Sequence, residues 1–177
     1  MTRHAPLGNA LGGEDADPRY NRAEGSTPVR RLVLRDAVDV PEVTLRPCSD
    51  ADHAFVLHVR REAFRTGGDV AEEAKAARAL ASLPFAIVEA AGKAIGYVSV
   101  VASDDHDFVH ELAVLPQSQG RGIGTAVIRG VQDDARRRGV PVRLSVHDDN
   151  PARRLYERLG FAVTDVDGMR VKMEWRP

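Results

Sequence analysis

Apolar and polar residues change their period along the chain, and the changes mark out elements. Val43 and Leu45 alternate with Thr44 and Arg46, which predicts a short strand ending at Pro47. Ser49 stands three residues before Asp52, a capping-box spacing that opens a predicted helix running to about Phe64. Gly67 and Gly68 break it, and alanine-rich residues 70–83 predict a second helix that Pro84 stops. Residues 85–89 and 94–101, rich in Ile, Val and Tyr, read as strands around a turn at Gly92. Residues 104–107 form a polar turn, and residues 108–115 are the next strand, closed by Pro116.

Beyond Pro116 the period lengthens. Ile123, Val127 and Val131 recur every fourth residue, so residues 123–138 are a predicted helix with Gly139 as its C-terminal cap. Val140, Val142, Leu144 and Val146 alternate as a strand. Asn150 and Pro151 suit the cap and first turn of a helix carrying Leu155, Tyr156 and Leu159, which Gly160 ends. Residues 161–166 and 169–175 flank Asp167 and Gly168, a two-residue hairpin signal. The order β-α-α-β-β-β-α-β-α-β-β is that of a layered α/β domain. Residues 1–42 differ: prolines, glycines and scattered charges dominate, so a flexible extension is expected there, ahead of an ordered domain over residues 43–177. Within the extension, residues 29–40 have the composition to add a strand to a sheet edge before Pro41.

Composition narrows the function classes. The chain has 177 residues, 43% of them hydrophobic, and a formal net charge of −1, which gives no strongly basic surface and argues against a nucleic-acid partner. Arg136, Arg137 and Arg138 read as the solvated last turn of a helix. Cys48 is the only cysteine, so neither an internal disulfide nor a multi-cysteine metal site is available, and a small, half-buried thiol is expected. No apolar run approaches the roughly 20 residues of a membrane helix, and no apolar signal core opens the chain. The expected compartment is the cytoplasm, with no membrane partner and no metal.

The chemistry lies in one segment. Leu112, Ala113, Val114, Leu115 and Pro116 end a strand; Gln117, Ser118, Gln119, Gly120, Arg121 and Gly122 turn; Ile123, Gly124 and Thr125 open a helix. A helix N-terminus leaves N–H groups unpaired and its dipole favours anions. Glycines let the backbone approach a pyrophosphate closely, and Thr125 adds a hydroxyl. The dinucleotide fingerprint fits less well, because Thr125 occupies its third glycine position, and no Gly-Lys-Ser/Thr follows to make a P-loop.

The run Gln119-Gly120-Arg121-Gly122-Ile123-Gly124 resembles the acyl-CoA loop, Q/R-x-x-G-x-G/A, of the Gcn5-related N-acetyltransferases. His110 to Pro116 is similar to that family's fourth strand, and Asn150 to Phe161 resembles its second signature, N-x-x-A-x-x-L-Y-x-x-x-G-F, with Ala152 one position early. Thr44-Leu45-Arg46-Pro47 with Asp50 and Asp52 is similar to its usual opening. The resemblance implies a mixed, mostly antiparallel sheet flanked by helices, acetyl-CoA as co-substrate, and an amine as acceptor. It places the pantetheine arm on Leu112, Ala113 and Val114, the pyrophosphate on Gln119, Gly120, Arg121, Gly122, Ile123, Gly124 and Thr125, and a cofactor hydrogen bond on Asn150. It makes Tyr156 the general acid that protonates the departing thiolate. For the base it leaves His110, Glu111 and, third, His106. On alternation alone Phe108 and His110 share one face and Val109 and Glu111 the other, unless a bulge intervenes. The readings that compete are a non-catalytic acyl-CoA sensor and a dinucleotide-binding protein. The acceptor is not legible, and a homodimer paired through the last strand is a further expectation.

Overall fold

The computed structural model describes residues 33–34, 42–64 and 70–177. The reading of residues 1–42 as a flexible extension therefore falls almost wholly outside the described residues. The elements are β1 (Val33–Leu34), β2 (Val43–Pro47), α1 (His53–Phe64), α2 (Val70–Ser82), β3 (Phe85–Ala90), β4 (Lys93–Ala102), β5 (Asp107–Val114), α3 (Ile123–Arg138), β6 (Val142–His147), α4 (Ala152–Arg158), β7 (Ala162–Asp167) and β8 (Arg170–Trp175). One sheet holds all the strands in the order β1-β2-β3-β4-β5-β6-β8-β7. Neighbours are antiparallel except β5 and β6, which are parallel. The mixed, mostly antiparallel sheet flanked by helices is thus the one expected, and β1 is the edge strand that residues 29–40 were expected to supply.

Alternation sorts the side chains to two cores. Val43, Leu45, Ala86, Val88, Val98 and Leu112 point to the face covered by α3. Phe85, Ile87, Tyr97, Ala113 and Leu115 point to the face covered by α1, whose stripe is Val56, Val59 and Ala63. The start of α1 is fixed as expected: Asp52 Oδ2 accepts from the Ser49 N–H at 2.9 Å and from the Ser49 hydroxyl at 2.7 Å. Asp52 also receives the Arg46 guanidinium at 2.7 Å, which holds its carboxyl well below the ordinary carboxylate range. Gly139, at φ 71, caps α3 in the left-handed region with its N–H directed to Ala135 and Arg136.

Three details depart from the sequence pattern. The final hairpin turns at Gly168 and Met169 rather than Asp167 and Gly168, with Gly168 at φ 57 taking the position that needs a positive angle. The last strand, β8, is hydrogen-bonded on both sides, to β6 and β7, so it has no edge for a second copy; the free edge on that side is β7, all of whose residues are exposed. Arg136, Arg137 and Arg138 are not simply solvated: Arg136 and Arg137 pair with Asp133 and Asp134, Arg136 also lies 5.1 Å from the Trp175 ring centroid, and Arg138 ties the end of α3 to buried Asp107.

Two irregularities shape the middle of the sheet. Opposite β4 the register slips: Ser99 faces Glu111, whereas Val100 faces Val109. His110 is the extra residue of a β-bulge. Consequently Val109 joins Leu112 and Val114 in the α3-side core, while Glu111 reaches Arg60 and Tyr97 on the α1 side. Simple alternation had put Val109 and Glu111 on one face; the inserted residue reverses the phase. The second irregularity is that β5 and β6 pair only over Asp107, Phe108 and Val109 with Val142, Arg143 and Leu144. Beyond Val109 the two strands part, leaving the C-terminal half of β5 bonded on its β4 side alone.

Close packing on that β4 side makes Gly96 obligatory. A Cβ built there would lie 2.3 Å from the Ala113 carbonyl oxygen, a backbone atom of the next strand that cannot swing away. Gly96→Ala is expected to cost about 1–3 kcal/mol of stability. Urea unfolding checks this, with a lower midpoint at unchanged slope as the expected result.

Candidate active site

The parting of β5 from β6 leads to the glycine turn. Pro116–Ser118 form a single 3-10 turn, and Gly120 and Gly122 sit at φ 74 and φ 77, the left-handed region that favours glycine. Gln119 folds back so that its Nε2 donates to the Val114 carbonyl at 2.8 Å, which fastens the turn to the end of β5. The first helical bond of α3 runs from the Ala126 N–H to the Gly122 carbonyl at 2.9 Å. The N–H groups of Ile123, Gly124 and Thr125 therefore have no acceptor within the helix. A cleft of about 220 Å³ lies before them, lined by Val114, Ser118, Gln119, Gly120, Gly122, Ile123, Gly124, Thr125, Leu155 and Arg158.

Most residues expected to bind the cofactor converge on this cleft. Arg121 is exposed in the same turn. Leu112 and Ala113 are buried in β5 just behind it, and they differ in orientation. The Leu115 N–H donates to Ile95 of β4 at 2.8 Å, and the Ala113 carbonyl lies toward Gly96. Backbone groups alternate along a strand, so those of Leu112 and Val114 turn to the side where β6 has moved away.

On the far wall is α4. The Asn150 side chain accepts from the Ala152 N–H at 2.9 Å and so fixes the start of the helix, with Pro151 at φ −59. Leu155 packs against α3 where Gly124 has no side chain: a Cβ there would stand 3.3 Å from Leu155. Tyr156 is 1% exposed, with its ring edge-on to Phe161 at a centroid distance of 5.6 Å. It belongs to the α3-side core.

Glu111 is on the opposite face, fully buried. One Arg60 nitrogen lies 2.6 Å from each of its carboxylate oxygens, and the Tyr97 hydroxyl donates to one of them. Burial first, then the neighbouring carboxylate, push the Tyr97 phenol well above its ordinary value, so it remains a donor. Across the strand from Glu111, the Ser99 hydroxyl is buried with no hydrogen-bond partner among the described residues. Arg60 and Tyr97 were missed in the sequence. A signal for Arg60 existed: it falls on the apolar stripe of α1, between Val59 and Ala63.

His110, on the bulge, packs its ring on Phe108 at 4.7 Å, and burial lowers its pKa to about 4. The folded protein thus holds it neutral where the unfolded chain would take up a proton. Stability supplied this way is present above the ordinary value of 6.5 and is lost as pH falls toward about 4. The expected loss over that window is on the order of 2 kcal/mol. Urea midpoints of the wild type and His110→Gln across that window check it; equal acid sensitivity of the two would count against it.

Other candidates lie elsewhere. His106 is bonded within the β4–β5 turn, to Asp105 at 2.8 Å and near Ser103, at the end of β5 away from the glycine turn. Asp107 is buried and its carboxyl is pushed up by burial, with Arg138 opposing. Cys48 is half-buried, as expected, and burial pushes its thiol up. His147, Asp148 and Asp149 bring ligand-type atoms within 4.8 Å of one another on the surface, a grouping that metal-spacing arguments had not picked out. No described helix is long and apolar enough to cross a membrane.

A mixed sheet whose two parallel strands part beside a glycine turn and a helix N-terminus defines a class, and comparison with known proteins agrees. Residues 53–161 match the model of the Acetyltransferase (GNAT) family, and the chain belongs to that family. Members of that family are acetyltransferases that use acetyl-CoA as co-substrate. Among curated proteins it is 38% identical over 77 residues to the mycothiol acetyltransferase of Nocardia farcinica; the match covers 42% of this chain and 24% of that one, about a quarter of its length. Among solved structures, the PaiA N-acetyltransferase of Thermoplasma acidophilum, in complex with coenzyme A, aligns with a TM-score of 0.63 at 19% identity, covering 77% of this chain and 99% of the other. YncA of Salmonella typhimurium, described as a putative acetyltransferase with its cofactor acetyl-CoA, aligns with a TM-score of 0.54 at 23% identity, covering 76% and 93%. These two share the fold.

Proposed function

We propose that the protein moves the acetyl group of acetyl-CoA onto a primary amine by direct attack. The observation that carries the reading is the row of unbonded α3 amides, Ile123 to Thr125, set at the mouth of the gap between β5 and β6. The donor set fits a pyrophosphate: amide hydrogens, two left-handed glycines that admit close approach, and the positive end of a 16-residue helix. The gap suits the cofactor's arm, which Leu112 and Val114 would meet with backbone groups and Ala113 would back from behind. Gln119, Gly120 and Arg121 shape the turn, and Asn150 adds its amide at the head of α4.

In this reading the backbone of β5 orients the thioester and supports its developing oxyanion. Tyr156 supplies a proton to the departing thiolate from the α3 side of the sheet. Glu111 or His110 receives the amine's proton from the α1 side. The carboxylate is fully buried, so it acts through a water, for which the Ser99 hydroxyl offers a second hydrogen bond. A carboxylate, or an imidazole at about 4, is a weak base toward an ammonium of about 10.4. The nucleophile is therefore the small neutral fraction of the amine, and the proton that the base takes is the one on the nitrogen after it has bonded to carbon and become far more acidic. The same reading keeps the protein in the cytoplasm, where a lone half-buried Cys48 stays reduced. A homodimer would use the β7 edge.

A panel of amines (small metabolites, polyamines, aminoglycosides and peptide N-termini) tests the function by thiol release from acetyl-CoA and by transfer of the acetyl group. Turnover with at least one class is expected. Saturable binding of acetyl-CoA without release for any amine would leave a non-catalytic acyl-CoA module. Thermal stabilisation by NAD in preference to acetyl-CoA would overturn the reading.

A further inference from the structure

The cleft at the head of α3 has two walls. One is the glycine turn with the first turn of the helix, and the other is α4, which contributes Leu155 and Arg158. Leu155 is pressed against Gly124, so α4 is held close at this point. Arg158 follows three residues later, on the same helical face, and is thereby carried to the rim of the cleft. Its side chain is exposed, and no described carboxylate pairs with it, although Arg153 on the same helix is bound to Glu157 at 2.9 Å.

The amide wall alone is a weak match for the ligand's charge. A helix end presents roughly half an elementary charge, whereas coenzyme A carries a pyrophosphate and a 3′-phosphate. A guanidinium is permanently cationic and can bind phosphate oxygens through two parallel N–H bonds. We propose that Arg158 is a cofactor clamp: from α4 it closes over the phosphate end of coenzyme A, opposite the amides of α3. The proposal rests on the cofactor reading above. It assigns a binding residue that the signature around Tyr156 passes over, because the motif leaves that position unspecified.

Calorimetric titration with acetyl-CoA, acetyl-dephospho-CoA and acetyl-pantetheine tests it in the wild type, Arg158→Ala and Arg158→Lys. Arg137→Ala serves as the charge-matched control at the far end of α3. Arg158→Ala is expected to weaken acetyl-CoA about tenfold or more, the usual loss for a charge-assisted bond. Arg158→Lys should recover part of it, and Arg137→Ala should bind as the wild type does. Acetyl-pantetheine, without phosphates, should bind wild type and Arg158→Ala equally. A loss that persists with the dephospho compound places the clamp on the pyrophosphate; a loss that vanishes there places it on the 3′-phosphate. Arg158→Ala binding acetyl-CoA within about twofold of the wild type, below what a charge-assisted bond contributes, would overturn the clamp and leave the cofactor reading standing. A wild type that does not bind acetyl-CoA would overturn both.

Discussion

Tyr156→Phe is expected to lower turnover by roughly 10²–10³-fold, the range for loss of a general acid, while acetyl-CoA affinity is nearly kept. The structure makes this substitution unusually clean. Tyr156 is 1% exposed and packs edge-on against Phe161, so phenylalanine keeps the ring, its volume and its neighbours. Only the hydroxyl is lost. A thiolate leaving group has a reference pKa of about 8.5 and a phenol about 10, close enough for the proton to be shared as the bond to sulfur breaks. The residue stands in the α3-side core, whereas Glu111 and its partners are on the α1 side. The two groups proposed to move protons thus approach the gap between β5 and β6 from opposite faces. Steady-state kinetics beside calorimetry separate the effects. A fall in turnover matched by a similar fall in cofactor affinity would make Tyr156 a packing residue. Unchanged turnover would remove it from the mechanism.

How far the sequence could be read follows from the range of the forces involved. The glycine turn and α3 were legible because their determinants are local: positive φ at Gly120 and Gly122, an apolar stripe, and a glycine cap at residue 139. The capping of α1 by Asp52 was legible for the same reason. The bulge at His110 was not, since an extra residue exists only relative to the strand opposite, and nothing in residues 107–114 alone reports the slip against Ser99. That one slip decides which face Glu111 occupies, and so what it touches. The place of β8 between β6 and β7 likewise depends on strand order, which the alternation of residues 170–175 does not contain. Arg158 was visible only as an unspecified position in a motif; its meaning comes from α4 lying against Gly124.

Arg60 gives the second large effect. Arg60→Ala is expected to destabilise the fold by about 3–5 kcal/mol, because removing one partner strands a buried charge. Against a typical domain stability of roughly 5–15 kcal/mol, that is a large fraction. The guanidinium is 6% exposed, its carboxylate partner 0%, and they lie 2.6 Å apart across 51 residues of sequence. Tyr97 supplies a further donor, and Tyr97→Phe should cost less, about 1–3 kcal/mol, since Arg60 still pairs with the carboxylate. The double variant Arg60→Met/Glu111→Gln is the decisive comparison: with both charges gone and Tyr97 still able to donate to the amide oxygen, most of the lost stability should return. Urea unfolding of the wild type, Arg60→Met, Glu111→Gln and the double variant closes the cycle and measures the coupling directly. If Arg60→Ala alone costs less than about 1 kcal/mol, the pair behaves like an exposed one and water reaches Glu111 freely. That result would loosen the geometry assumed for proton transfer on this face, because the same two donors that stabilise the core are what hold the carboxylate at the bulge beside His110.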